Sequence, residues 1–507
     1  MTLANDNRAY AQLAERFATA GKLAGARAIL NWDAQTYMPK GGAWGRGEVQ
    51  GALQAVTTDI IAAPDAAELL AAAEEADDAL TAAEKANLAE MRRIWRHRAA
   101  APKELLIAKA RCCARLEIDW LEAKTNNDFP LFAKGFGELL PIIRETAQAK
   151  AAALGLSALD ALIDAADPGL TVAAIEPIFA DMEAALPALL AEAVERQKTW
   201  PAPIPLTGDF SIPRQRALSE KLAAAVGHSP EHLRIDPTAH PFAQAGTPGD
   251  NRITTRFDED NIRFAVMATL HESGHALYES GLPRAMAFQP AGVARGASAH
   301  ESQSLSIEMQ AGRSREFLSW LAPRLGEAFG EGPCWGEANL INHWRRVGEG
   351  YIRVEADEIS YPLHVILRFR LEQALLSGDL TVADLPGAWS DLSQRLFGRR
   401  PPDHARGCLQ DIHWAAGLFG YFPNYALGAA LAAQLFAAAV GEDGEVLRAL
   451  ALGDFGPWRA WIGPRFHGRA SEVSFSQLVH DATGAPLSAA ALKRHLRARY
   501  IDEPAPA

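Results

Sequence analysis

Apolar residues recur at three- and four-residue spacing along most of this 507-residue chain, with few interruptions before about residue 200. That period places them on one face of an α-helix. The windows Ala66–Ala83 and Val172–Gln197 are rich in Ala, Leu and Glu and predict long helices. Pro177 and Pro187 predict a kink or split in the second window, because each removes an amide donor. The three prolines of Trp200-Pro-Ala-Pro-Ile-Pro205 end this region, and a short helix resumes near Pro213. Between residues 230 and 257 the period shortens to two. Ile253, Thr255 and Phe257 fall on one side, and Arg252, Thr254 and Arg256 on the other. Together with Arg234–Phe242 this predicts one small sheet. From Asn261 the helical period returns and holds nearly to the end, leaving a frayed tail at 503–507. The predicted fold class is mostly α. It is a single unit with an N-terminal helical part (1–200), a linker and small sheet (201–260), and a second helical part (261–507). No fixed-period repeat is visible, which argues against a solenoid.

Composition narrows the setting. Hydrophobic residues make up 49% and charged residues 22%, the balance of a soluble globular protein. A formal net charge of −12 argues against nucleic acid or an anionic membrane as partner. Cys112, Cys113, Cys334 and Cys408 form no C-x-x-C pattern and read as reduced thiols filling a core. With no basic-then-apolar leader at the N-terminus, they suggest a cytoplasmic protein. The longest apolar run, Ala426–Val440, is short and interrupted by Gln434, so it predicts a buried helix rather than a membrane span.

The chemistry is concentrated in His271-Glu-Ser-Gly-His275, within a helical stretch from Ile262 to Ser280. On a helix, His271 and His275 lie one turn apart on one face and can bind one metal ion, with Glu272 beside them as a general base. A catalytic zinc needs a third protein ligand and an open position for water. Glu301, in Ser298-Ala-His-Glu-Ser-Gln-Ser304, lies 26 residues beyond His275 and is the best candidate. The intervening loop is marked by Gly281-Leu-Pro and Gln289-Pro-Ala-Gly292. His300 is the alternative ligand, or else a supporting or substrate-contacting residue. A metal there would activate a water for hydrolysis, and Glu272 would pass its proton to the leaving amine. Gln410-Asp-Ile-His413-Trp and Gly420-Tyr421-Phe-Pro-Asn-Tyr425 offer donors for the developing oxyanion; each could equally be a core aromatic. The polar cluster Tyr351–Arg368 predicts helical i,i+4 neighbours, Arg353 with Asp357 and Asp357 with Tyr361. Either an internal ion-pair network or a substrate-gripping wall would account for it.

These segments together resemble the metallocarboxypeptidases of the thermostable carboxypeptidase Taq type. The resemblance rests on His240-Pro-Phe242, Asp250-Asn-Arg-Ile-Thr254, His271–His275, His300-Glu-Ser-Gln-Ser304, Ile352–Glu358 with Tyr361 and His364, and Gly407–Trp414. Trp32-Asp-Ala-Gln-Thr-Tyr-Met-Pro39 extends it to the N-terminal region. It implies a mostly helical unit with a deep groove, similar to neurolysin and angiotensin-converting enzyme. It also implies a homodimer that removes single residues from peptides with a free C-terminus, with broad specificity and one zinc, or cobalt, per subunit. Carried over by motif, His271, His275 and Glu301 hold the metal and Glu272 is the base. Arg252 and Arg353 become candidates for the substrate carboxylate, since a guanidinium binds carboxylates in a bidentate fork. His240, His300, Gln410, His413, Tyr421 and Tyr425 become substrate-wall candidates. The strand at Arg252–Phe257 could offer backbone groups to an extended peptide. An oligopeptidase or dipeptidyl carboxypeptidase of the same groove-shaped class would differ in not requiring, or differently reading, the free C-terminus. A metal-stabilised binding scaffold would not need Glu272. The G-x-M-x-N motif of aminopeptidases is absent.

Overall fold

The structure is a computed structural model that describes residues 8–348 and 350–506. Its described residues form twenty α-helices, short 3-10 and π turns, and one three-stranded sheet, as the dominant helical period requires. The window Ala66–Ala83 is not one helix. A helix over Ala66–Glu75 stops, and Thr81 starts a new one over Ala82–Ala99. The Thr81 hydroxyl accepts from Glu84 N–H at 3.3 Å, and the Glu84 carboxylate accepts from Thr81 N–H at 2.8 Å. This reciprocal cap overrides helix-forming alanines on both sides. Pro177 and Pro187 do not split their segment, which runs as one helix over Val172–Gln197.

The run Ala426–Val440 lies inside a helix over Pro423–Glu442, here called the core helix. Its length and composition would allow a membrane span, yet 72% of its apolar window is buried in the protein. Leu427 packs into one large hydrophobic cluster, and Leu431 and Leu435 into the other, so this helix joins the two. Gln434 donates to the Thr483 hydroxyl at 2.9 Å and to the Ala485 carbonyl, which satisfies the one polar group in the run. The four cysteines are buried free thiols. Glu503, expected to fray, is instead tied down. Its carboxylate takes Arg345 Nη1 at 2.6 Å, and its carbonyl accepts from Arg196.

Strands β1 (Leu233–Pro237), β2 (Ala243–Thr247) and β3 (Asp250–Thr255) pair in the order β1-β3-β2, β1 parallel and β2 antiparallel to β3. Ile253 and Thr255 point inward as their spacing predicts. Thr254 is buried as well, because its hydroxyl accepts from Phe242 N–H at 2.8 Å. Leu233, Ile235 and Ile253 pack against Ala223 and Ala276, fixing the sheet to the helix that carries the histidine motif. On the other side the first helix (Arg8–Thr36) brings Trp32 beneath the guanidinium groups of Arg234 and Arg252, each 4.7 Å from its ring.

The motif helix, Ile262–Gly281, packs directly on a second helix over Gly296–Leu305. A Cβ at Gly274 would meet the Gln303 carbonyl oxygen at 2.5 Å and Ser304 Cα at 2.6 Å. Both are backbone atoms and cannot rotate away, so only glycine permits this approach. Gly274→Ala is therefore expected to destabilise the protein by about 1–3 kcal/mol. An unchanged denaturant midpoint in that variant would contradict this packing.

Candidate metal centre and substrate wall

Asn261 caps the motif helix by accepting from Arg263 N–H at 3.1 Å, which sets the helix start nine residues before the first histidine. The rings of His271 and His275 are 5.0 Å apart, centroid to centroid. Glu301, on the Gly296–Leu305 helix, reaches towards both. Its Oε2 lies 4.0 Å from His271 Nε2 and 3.6 Å from His275 Nε2. One donor atom from each residue falls within 4.8 Å of the other two. Two imidazole nitrogens and one carboxylate oxygen match the His, His, Glu donor set of a catalytic divalent metal.

The Glu301 helix is anchored at both ends of its first turn. Asp167 accepts from Ser298 N–H at 2.7 Å and from its hydroxyl at 2.9 Å, a favourable place for a carboxylate. The Tyr278 hydroxyl accepts from Arg295 N–H at 3.1 Å. Behind Glu301, a Cβ at Gly428 of the core helix would stand 2.7 Å from Glu301 Cγ.

His300 does not join the donor triangle. Neighbouring residues on a helix point about 100° apart, so His300 and Glu301 cannot both face the same ion. Its Nδ1 lies 2.6 Å from His275 Nδ1, and its Nε2 lies 2.9 Å from Glu279. His300 thus links the second histidine to a carboxylate. Glu308 does the same for the first: its Oε2 is 3.0 Å from His271 Nδ1, and its Oε1 accepts from Arg313 at 2.6 Å. Tyr361 donates to Glu301 Oε1 at 3.0 Å, leaving Oε2 towards the histidines. Such partners fix ring tautomer and ligand orientation. Sequence reasoning missed Glu308 and this role of Tyr361. The available signal was the seven-residue step from Glu301 to Glu308, two helical turns on one face.

The electrostatics follow from burial among carboxylates. Burial alone would lower the His271 pKa, but the hydrogen bond to Glu308 and the charges of Glu301 and Glu272 raise it to about 10. Burial lifts Glu272 to about 7, with His271 opposing and Glu301 adding to the rise. His275 is held well below its ordinary value by burial and by the neighbouring His300 and His271.

The expected ladder Arg353–Asp357–Tyr361 is not formed. Arg353–Glu355 is a single 3-10 turn, and the following helix begins at Ser360. Asp357 accepts from the amides of Ile359 and Ser360, both at 2.9 Å, and from the Ser360 hydroxyl at 2.7 Å. A carboxylate just before a helix prefers these free amides to a side chain one turn on. Arg353 instead binds Asp411 through Nε (3.0 Å) and Nη2 (2.9 Å), and its guanidinium lies 4.7 Å from the Tyr425 ring. Asp411 also pairs with the fully buried Arg368.

Of the other wall candidates, Tyr425 shares a 3.0 Å hydrogen bond with His413 Nε2. Burial and the nearby Arg353 push His413 down to about 3, so it is neutral. Tyr421 packs beside Tyr425, with ring centroids 5.7 Å apart. The Gln410 amide is engaged within the protein. Its oxygen accepts from Arg353 N–H at 2.8 Å and its nitrogen donates to the carbonyls of Tyr351, Arg406 and Gly407, so it positions Arg353. His240 sits exposed on the loop between β1 and β2. Arg252 grips Asp250 through two 2.8 Å bonds. It also lines a pocket of about 160 Å³ with Gln244, Asn251, Glu279 and His300. β3 cannot offer its backbone to a peptide, since it is the central strand and pairs on both sides. The strand edge beside that pocket is β2.

Comparison with known proteins identifies the family. The profile of the carboxypeptidase Taq (M32) metallopeptidases matches residues 12–500. Thermostable carboxypeptidase 1 of Thermus thermophilus is 35% identical over 505 residues, covering 97% of this chain and 98% of that protein. Carboxypeptidase 1 of Bacillus subtilis is 32% identical, covering 94% of each. Among solved structures, metallocarboxypeptidase 1 of Trypanosoma cruzi superposes with a TM-score of 0.95 at 34% identity, covering 98% of this chain and all of that one. A Pyrococcus furiosus carboxypeptidase gives 0.92 at 29% identity, covering 98% and 99%. The chain belongs to the carboxypeptidase Taq (M32) family of metallopeptidases and is a metal-dependent carboxypeptidase.

Proposed function

We propose that His271, His275 and Glu301 hold one zinc ion per subunit, with cobalt as a substitute, and that Glu272 is the general base. The observation that carries this reading is the donor triangle, with Glu272 adjacent to its first member and 5% exposed. When bound, such an ion supplies a Lewis acid that acidifies water and polarises a carbonyl. Glu272, set near neutrality by burial, takes a proton from the attacking water and delivers it to the departing amine. Tyr421, whose hydroxyl has no hydrogen-bond partner among the described residues, and Tyr425 face the developing oxyanion. Arg353 takes the substrate's terminal carboxylate. Its neighbours Tyr361 and Tyr425 link it to the Glu301 side of the site, and one arm of its guanidinium is not engaged by Asp411. Arg252 and the β2 edge hold the peptide further back, through the pocket they line. As the family resemblance implies, the reading extends to a cytoplasmic homodimer that trims broad peptide substrates with free C-termini and has no nucleic-acid or membrane partner.

Glu272→Gln is expected to lower kcat by about 10²–10⁴-fold while the protein still carries one metal per chain by elemental analysis. Full activity in that variant would remove the proposed base. Arg353→Lys is expected to lower kcat/KM for free-acid peptides by roughly 10–100-fold, the worth of a charge-assisted hydrogen bond from the free arm. An equal loss on amidated peptides would show that this arginine does not read the carboxylate. Metal affinity should depend on pH, because a ring held at about 10 keeps its proton through neutrality and the metal must displace it. Binding is therefore expected to tighten by about tenfold per pH unit from neutrality towards that value. Competition with a chromogenic chelator reads this directly, and a flat profile would contradict the assignment of His271.

A further inference from the structure

Glu308, which orients His271, does not sit on ordinary helix. It lies in a π-helical turn over Ser306–Ala311. Such turns are rare and occur frequently at functional sites, and this one is supported from outside. The support comes from the far end of the chain. Arg499 donates Nη1 to the Met309 carbonyl and Nη2 to the Gln310 carbonyl, the latter at 2.9 Å. These are the two residues directly after Glu308. Arg499 is in turn fixed by Glu358, whose carboxylate oxygens lie 2.9 and 3.0 Å from Nη1. Tyr500 donates to the same carboxylate at 2.6 Å. Arg499 and Tyr500 belong to a second π turn, Ala498–Asp502. Next along, the carboxylate of Glu503 holds Arg345, whose Nε donates to the Arg313 carbonyl at 2.6 Å. Arg313 is the residue that grips Glu308. Both arms of the Glu308 support therefore end on residues 499–503.

We propose that this C-terminal turn is a positioning element for the metal centre. Arg499, braced by Tyr500 and Glu358, sets the turn that aims Glu308 at His271, and so tunes metal affinity without touching the ion. Arg499, Tyr500 and Glu358 are all buried. A buried ionic network is often no more stabilising than apolar packing; what this one supplies is the geometry of the turn that carries Glu308. The proposal rests on the metal-centre reading given above.

The test is Zn²⁺ affinity, measured on the full chain by chelator competition, for the parent, Glu308→Gln, Arg499→Lys, Tyr500→Phe and the double variant Glu308→Gln/Arg499→Lys. Each single change is expected to weaken binding, by about 10–100-fold for Glu308→Gln and Arg499→Lys, the usual cost of losing an outer-shell partner. The double variant is expected to be no weaker than Glu308→Gln alone, because Arg499 acts through Glu308. Melting of the metal-free proteins is followed alongside. Parent-like Zn²⁺ affinity in both Arg499→Lys and Tyr500→Phe overturns the proposal, even if melting falls, and so does an additive double variant. Where Arg499→Lys does not fold, Tyr500→Phe, which removes one hydroxyl, and its double variant with Glu308→Gln carry the same comparison. A parent chain that binds no Zn²⁺ removes the metal-centre reading and this proposal together. A parent that binds, with variants that bind equally well, removes this proposal alone.

Discussion

The structure depends on one constraint: two imidazoles on one helix must meet a carboxylate on another at bonding range of a common point. Neither helix can do this alone. A histidine pair one turn apart offers two donors, and the third has to come from a helix packed closely enough for its side chain to cross the gap. Gly274 permits that closeness, Asp167 fixes the start of the Glu301 helix, and Gly428 leaves room for the Glu301 stem. The core helix, apolar along nearly its whole length, backs Glu301 and joins the two main clusters of the interior.

Each donor also has its own partner: Glu308 for His271, the His300–Glu279 pair for His275, and Tyr361 for Glu301. In the proposed metal centre, these contacts would decide which atom of each residue faces the ion. They also put several carboxylates into a dry space, which is why His271 is raised and Glu272 is held near neutrality. Burial is the main cause of the Glu272 shift, and Glu301 and Glu308 add to it.

The donor triangle was legible because its logic is local. A four-residue step is one helical turn, and Glu301 stands out as an acidic residue in a following helical segment. The small sheet and the buried core helix were legible from period and composition for the same reason. The partners were not, because they are set by packing between distant segments: Arg353 finds Asp411 58 residues away, and Tyr361 finds Glu301 60 residues back. The expected Arg353–Asp357 pair failed for a local reason, since free amides at Ile359 and Ser360 outcompeted the arginine. Of the two expectations for this region, the structure shows the ion network. Asp411 holds both Arg368, which is wholly internal, and Arg353, which faces the tyrosines of the site. The backbone role imagined for β3 failed because one sequence cannot reveal which strand is central.

X-ray absorption at the zinc edge, on protein loaded with one equivalent of metal, tests the donor triangle most directly. The account predicts a first shell of two imidazole nitrogens with the remaining ligands oxygen. A shell with fewer than two imidazoles, or one containing sulfur from the buried cysteines, would contradict it.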